Sequence, residues 1–400
     1  MDYNKYKNES KAQFLDSCQE SNSIYKRHFL DMGEEVNAAI SFADIKESKH
    51  AIGSKANNGF DAVITDGDLT YNNTEAISVD DIAEMKDGFY EKMLLSGKGN
   101  KLISMINAFS RKVITIEVPS RKHADLKVLF ENHKMFSAAV MMIKLNEGSS
   151  IDIFELHQSK SAAGSVISIA HVIEVGEHAG GEINILHNEE MHTNIISLFD
   201  CSVGKKGSIK ANLAYVGGSK TISRNNIKTP GEDSNTQINE VVIGSGQQKF
   251  DIYTYMENTQ ARTSCCSDAR AIMAENSRCY IKGFAKVLKG AKKSKSHIKE
   301  YGIILDRGAH IDMIPDMSIE ESDVDATHLG QTAPISEEML FYIMSKGLNK
   351  TTAQGLVAEE YSSWILSNIK DAEIRKIIAG PIRRKIYRAL ESDVEKSQHG

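Results

Sequence analysis

The sequence predicts a mainly β chain, built around a β-solenoid core with a β-sandwich as the alternative, and flanked by helical regions. Three observations carry this. From about residue 112 to about residue 330 the apolar positions recur with a period of two, the signature of strands. No helical pattern alternates with those strands, which removes the doubly wound α/β class. A weak internal repeat runs through the same region, as it does in chains that stack coil upon coil.

Taken in order, residues 1–110 read as a mostly helical N-terminal region. Phe14, Ile24, Phe29 and Met32 stand at irregular helical spacing among many charges. The stretch 46–76 carries NNG and DGD turn signals and reads as a loop or short strands. Asp80 or Asp81 is placed to cap a helix running to Leu94, with Ile82, Met85, Phe89 and Met93 on one face.

The core, 111–335, contains strands at VITIEV (113–118), AAVMMIKL (138–145), IDIFEL (151–156), SVISIAHVIEV (165–175), EINIL (182–186), NIISLFD (194–200) and SIKANLAYV (208–216). A small residue followed by two alternating apolar positions recurs at Gly148, Gly181, Gly207, Gly246, Ser277 and Gly308, at intervals of 33, 26, 39, 31 and 31 residues. Such uneven intervals exclude a strict short-period solenoid and suit coils joined by loops of different length.

The C-terminal unit, 336–400, is helical. Ser336 is a natural N-cap for EEMLFYIMSKG, whose acidic first turn and terminal Lys346-Gly347 match the helix dipole and a glycine C-cap. A second helix fits 351–369. Asp371 can start a third, in which Pro381 predicts a break.

Composition narrows function by exclusion. A net charge of −6 gives no general attraction to nucleic acid or anionic membranes. No apolar run approaches transmembrane length, and the polar N-terminus lacks a secretory signal, so a cytoplasmic protein is expected. Five scattered cysteines without a CxxC pair point to buried thiols rather than disulfides or a self-contained zinc site. The tract 282–299 holds seven lysines and no acid, with little aromatic interleaving; it reads as a solvated strand edge rather than a nucleic-acid patch. GSGQQK (244–249) lacks the spacing of a phosphate loop and reads as a tight turn. Histidines 171, 178, 187 and 192 have spacings that do not form one chelating face. His310 and His328 differ in company, standing among Asp306, Asp312, Asp316, Glu320, Glu321, Asp323 and Asp325. A neighbouring carboxylate orients an imidazole and keeps it basic, as a metal ligand requires.

Three stretches resemble the SufB/SufD family: GEDSNTQINEVVIGSGQQKFDIYTYMEN (231–258), SRCYIKGFAKVLKGAKKSKS (277–296) and AHIDMIPDMSIEESDVDATHLGQTAPISEEMLFYIMSKGL (309–348). The order of a QxxxD strand, an SRxxxxGxxxV strand, a PxMxI strand, a histidine-bearing turn and LFYxxxKG is similar to the family's own. ISMINAFSRKVITIEVPS (103–120) adds the strand that opens the family's core. The resemblance implies a right-handed parallel β-helix with helical flanks, in a scaffold component of the Suf iron–sulfur cluster assembly machine. It implies pairing with a SufB-like subunit, or a second copy, through the β-helix. It also implies docking of the ABC-type ATPase SufC on the C-terminal helices, around Phe341, Tyr342 and Gly347, so that ATP hydrolysis belongs to the partner.

The SufB pattern carries a cysteine just before the proline strand and a His-Glu pair at the turn. Here LDRGAHIDMIP (305–315) has no cysteine and Leu329 follows His328, so the resemblance is SufD-like. It implies that His328 is an interface ligand of a transient iron–sulfur cluster shared with the partner chain; imidazole is an accepted iron ligand in such clusters. Glu257-Asn258 stand where many family members have histidine, and residues 1–100 match nothing in the pattern. Two other functions compete. One is a structural adaptor of the same assembly with His328 merely hydrogen-bonded. The other is a β-helix polysaccharide binder, disfavoured by an aromatic content of 7% that leaves little for sugar stacking.

Overall fold

A computed structural model of the chain describes residues 59–66, 68–71, 77–81, 101–110 and 112–398, together with residues 5, 8–10, 12 and 13. Among these, the strands are β1 (Ala62–Thr65), β2 (Asp68–Tyr71), β3 (Ile77–Asp81), β4 (Lys112–Val118), β5 (His123–Asn132), β6 (Phe136–Leu145), β7 (Ser150–Ser159), β8 (Val166–Val175), β9 (Gly180–His187), β10 (Asn194–Val203), β11 (Ser208–Tyr215), β12 (Lys220–Thr229), β13 (Asn235–Gly244), β14 (Lys249–Asn258), β15 (Ser264–Met273), β16 (Arg278–Val287), β17 (Ser294–Ile304), β18 (His310–Met313), β19 (Asp316–Ile319) and β20 (Val324–Pro334). The helices are α1 (Lys101–Phe109), α2 (Glu337–Met344), α3 (Lys350–Ser367) and α4 (Ala372–Gln398).

The strands form two sheets that share the chain alternately. One runs β2-β1-β5-β7-β9-β11-β13-β15-β17-β20, the other β3-β4-β6-β8-β10-β12-β14-β16-β18, with β19 also on β16. Each coil gives one strand to each sheet, and from β5 onward the pairing between successive coils is parallel. The chain is a parallel β-solenoid, and the sandwich alternative falls.

The coils are more regular than the sequence intervals suggested. In the first sheet Leu126, Ile153, Ile183, Ala211, Ile238, Ser267, Ile298 and His328 pair in succession, in steps of 27 to 31 residues. The uneven intervals came from mixing two corners: Gly148 and Gly207 precede first-sheet strands, whereas Gly246, Ser277 and Gly308 precede second-sheet strands. One corner explains the period physically. Arg121, Gly148, His178, Lys206, Asp233, Arg262 and Lys293 recur there, all with positive φ. Each donates its N–H to a carbonyl of the next coil, for example His178 to Lys205 and Lys206 to Glu232. The strain of a left-handed non-glycine residue is offset by a bond that locks the coil height.

Side-chain parity then sorts the molecule. One face of each strand enters the interior, where Ile153, Ile183, Ile209, Ile238, Ile252 and Ile298 form the main core. The outer face of the first sheet carries Phe154, Leu186, Val241 and Ile272, which pack against α3 and α4 through Ile365, Ile374, Ile378, Ile382 and Ile386. The four-residue spacing on α4 gives one apolar stripe, and each buried isoleucine contributes about 1.5–3 kcal/mol. The C-terminal helices therefore share a core with the solenoid.

Several local expectations change. Asp80 and Asp81 lie in β3, paired with β4, instead of capping a helix; residues 82–94 fall outside the described residues. The lysine tract is not an edge, because β16 and β17 are each paired on both sides. Its lysines occupy outward parity positions and the turn between the strands. Pro381 does not break α4, which runs through it, its stripe of isoleucines holding both halves to the sheet. Ser336 caps α2 as expected, its Oγ accepting from the Met339 N–H, and Asp371 accepts from the N–H groups of Glu373 and Ile374 at the start of α4.

Candidate functional site

His328 lies on the last strand of the first sheet. Among the described residues, β20 pairs with β17 on one side and leaves its other edge open. His328 is the register partner of Ile298, which is buried in the interior. The histidine thus takes an interior-facing position, and it is exposed because no further coil covers it. Its Nδ1 lies 3.2 Å from the Pro315 carbonyl oxygen. Gly330 permits this approach of the two sheets: a Cβ there would stand 3.0 Å from Pro315 Cδ.

The carboxylates around it do not converge. His310 belongs to the opposite sheet and pairs with Asp312 at 3.1 Å. Asp306 accepts from the Glu275 N–H and Glu321 from the Gly290 N–H, so both tie successive turns together. Hydrogen bonds from Gly290, Asp323 and Ser322 hold the Glu321 carboxyl below its usual range. Among the described residues His328 belongs to no group of three convergent metal-ligating side chains. Of the four described thiols three are sealed in, and the half-buried Cys266 lies on β15, two strands from β20. Cys201, Cys265 and Cys279 are buried, and burial pushes Cys265 up to about 11 and Cys279 well above an ordinary thiol.

Phe341 and Tyr342 stand on the outward face of α2, 75% and 63% exposed. Leu340 alone of that helix is buried. The helix ends at Ser345, and Gly347 follows with φ +92°, two residues beyond the cap. Beneath α2 a cleft of roughly 720 Å³ opens between the end of the solenoid and α3, lined by Tyr301, Ile303, Ala333, Met339 and Leu356 among others. Arg270 forms one wall, its guanidinium 4.3 Å from the Trp364 ring centroid.

A second constellation lies deep in the early coils, and sequence spacing concealed it. Glu155 and His157 on β7, His171 on β8, and His187 and Glu189 at the end of β9 are all buried. Glu155 Oε2 lies 2.8 Å from His171 Nε2 and 3.2 Å from His157 Nε2. His187 Nδ1 lies 2.9 Å from Glu189 Oε1. Phe130, His157, His187 and Tyr215 stack in register through four coils, with centroid separations of 4.2, 4.6 and 5.1 Å. Burial, reinforced by His187, lowers His157 to about 4. Burial works to raise the Glu155 carboxyl, but His171 and His157 outweigh it and hold it at about 2. His178 and His192 are not part of this group: the first is exposed at a turn and the second bonds the Ser161 carbonyl. Spacing does not single out His157, but parity does: the inward positions Ile151, Ile153 continue as Glu155, His157, polar where the pattern demands apolar.

The comparisons with known proteins fall on this same region. A family model described as "SUF system FeS cluster assembly, SufBD core domain" matches residues 128–361, more than half of the chain. The chain belongs to the SufBD family. Its match runs from β5 to the middle of α3, and so takes in both the interior cluster and the edge strand. Among curated relatives, the iron–sulfur cluster assembly protein SufD of Bacillus subtilis is 22% identical over 62% of this chain and 57% of its own length. SufD of Escherichia coli is 19% identical over 61% of this chain and 58% of its own. A SufBD family protein of Pyrococcus horikoshii is 23% identical over 50% of this chain and 46% of its own. The matched region thus spans about half the length of these relatives. Among the described residues no helix is long and apolar enough to cross a membrane.

Proposed function

We propose that this SufBD family member is the SufD-like subunit of an iron–sulfur cluster assembly complex. It pairs with a SufB-like chain, or a second copy, through the open end of the solenoid, and carries a SufC-type ATPase on its C-terminal helices. The cluster is cargo, assembled at the subunit seam and then released. The observation that carries the proposal is the placement of His328: an inward-facing imidazole on a strand that, among the described residues, is paired on one side only, in a chain whose described cysteines are buried or on other strands. A neighbouring chain adding a strand to β20 would cover His328 as β20 covers Ile298. It would bring its own ligands to an imidazole that has no convergent set among the described residues.

The chemistry assigned to this chain is modest. His328 supplies one nitrogen ligand and the partner supplies thiolate, so neither subunit holds the cluster strongly alone. Phe341, Tyr342 and the turn at Gly347 form the contact for the ATPase, whose motion reaches the edge strand through the short link Ile335–Ser336 between β20 and α2. Hydrolysis of ATP takes place in that partner, and this chain acts as scaffold.

The hydrogen bond from His328 Nδ1 to the Pro315 carbonyl favours a second reading, a pure adaptor in which His328 only fastens the sheet end. Anaerobic reconstitution of the assembled complex separates the two. With His328→Ala, visible absorbance of the cluster should be lost while partner binding and the unfolding midpoint hold. Normal cluster loading by that variant would leave the adaptor reading standing.

A further inference from the structure

The interior cluster of the early coils has no task in the reading above. Its donor set is three imidazoles and two carboxylates, all buried, arranged as two groups that share His157. In each group the candidate ligand atoms lie within 4.8 Å of one another. Three polar atoms in it lack any hydrogen-bond partner: Glu155 Oε1, His171 Nδ1 and Glu189 Oε2. Orphaned polar atoms in a close-packed interior are costly, and several in one place mark a group whose polar partners are incomplete.

Charge gives the sign of that occupant. The ion pairs of Glu155 and Glu189 run to histidines, with no lysine or arginine among the described partners. Two buried carboxylates facing imidazoles need positive charge, and a divalent cation supplies it. There is also room beside the group. A cavity of about 20 Å³ adjoins the group, lined by His157 and Glu189 together with Asn132 and Ser168. That is room for one water-sized body. Geometry agrees too. Bonds of about 2.0–2.1 Å at a tetrahedral angle set neighbouring ligand atoms roughly 3.3 Å apart. Glu155 Oε2 stands 3.2 Å from His157 Nε2 and 2.8 Å from His171 Nε2, within about half an ångström of that spacing.

We infer that Glu155, His157 and His171, with a fourth ligand from the His187–Glu189 pair, bind one divalent first-row transition-metal ion in the solenoid interior. Imidazole with carboxylate suits Zn²⁺ and its neighbours. The ion has a structural task. Glu155, His157 and His187 belong to the first sheet and His171 to the second, so it ties the sheets across the interior. Phe130 and Tyr215 close the stack on either side and keep it from solvent. This site is independent of His328 and of any cluster chemistry.

The test is to refold the full chain from denaturant and chelator, alone or with Zn²⁺ or Co²⁺, and then remove free metal. We expect one ion per chain, a higher thermal midpoint with Zn²⁺, and tetrahedral Co²⁺ bands without thiolate charge transfer. His171→Gln and Glu155→Gln should lose the ion, whereas His310→Ala should keep it. Three results would overturn the site: a wild-type chain that refolds to the same midpoint without metal, a thiolate band in the Co²⁺ spectrum, or undiminished metal in the Gln variants. The wild-type spectrum decides even if those variants fail to fold.

Discussion

His157 and His328 occupy the same kind of position, an inward-facing residue on a first-sheet strand, and they live in opposite conditions. His157 lies under β5 and over β9, stacked between Phe130 and His187 and held by Glu155. His328 has β17 on one side and solvent on the other. The difference is made by coil stacking alone. A solenoid buries a side chain by adding the next coil, so its interior chemistry is sealed in the middle and available at its end. A second chain docking on β20 would turn the exposed case into the buried one.

The largest test of this contrast uses glycine. Gly181, in the early coils, has the Ile151 carbonyl oxygen where a Cβ would sit, 1.9 Å away. Gly181→Ala must push β9 from β7, and should destabilise the chain by more than about 3 kcal/mol in denaturant titration. At the open end a Cβ on Gly330 would meet Pro315 ring carbons at 3.0 and 3.1 Å and Met313 Cβ at 3.9 Å. Gly330→Ala should cost about 1 kcal/mol or less, because an uncovered strand can give way. Equal losses would mean that the last coil is as rigidly held as the early ones.

Buried carboxyls on β13 and β17 also give the solenoid a pH signature. Burial raises Glu240 to about 7 and Glu300 to about 8. Each carboxyl therefore holds its proton in the folded chain at a pH where the unfolded chain has lost it. Their contribution is complete below about pH 4.5 and is lost as pH rises through 7 and 8. Stability should fall by about 3 kcal/mol per group between pH 5 and pH 8. Glu240→Gln with Glu300→Gln should flatten that slope, measured by denaturant midpoints across the range, whereas His328→Ala should leave it intact.

How much of this was legible in the sequence follows from the same geometry. The period of two, the stacked coils, the Ser336 and Asp371 caps and the family motifs could all be read, because each is local or repeats at the coil length. The repeat nevertheless looked irregular, since glycines from two corners were counted as one series. The lysine tract looked like an edge because sequence shows outward charges but not which strands lie alongside. The interior cluster could not be assembled from spacing, since Glu155, His171 and His187 meet only when two sheets face each other. His157 supplied the missing link, at a parity that a strand-by-strand reading would have flagged. His328 was found by motif, and its inward parity became visible only with the pairing to Ile298.

The smallest effect on stability is expected where the proposed partner contact lies. Phe341 and Tyr342 are the most exposed large hydrophobic side chains of α2, one and two residues from the buried Leu340. Phe341→Ser with Tyr342→Ser should shift stability by no more than about 0.5 kcal/mol, as exposed substitutions do. Leu340→Ala should cost about 2 kcal/mol or more, because it empties a packed position. Binding should respond in the other order: the Ser pair should abolish capture of a purified SufC-type ATPase in titration calorimetry, while the chain stays folded. If the Ser pair instead destabilised the chain as much as Leu340→Ala, those rings would be serving this chain's own packing. If it left ATPase binding unchanged, the contact would lie elsewhere, with the apolar cleft beneath α2 the next surface to mutate. Only a loss of binding at constant stability fits a face that, like His328 at the end of the solenoid, is complete once a second chain covers it.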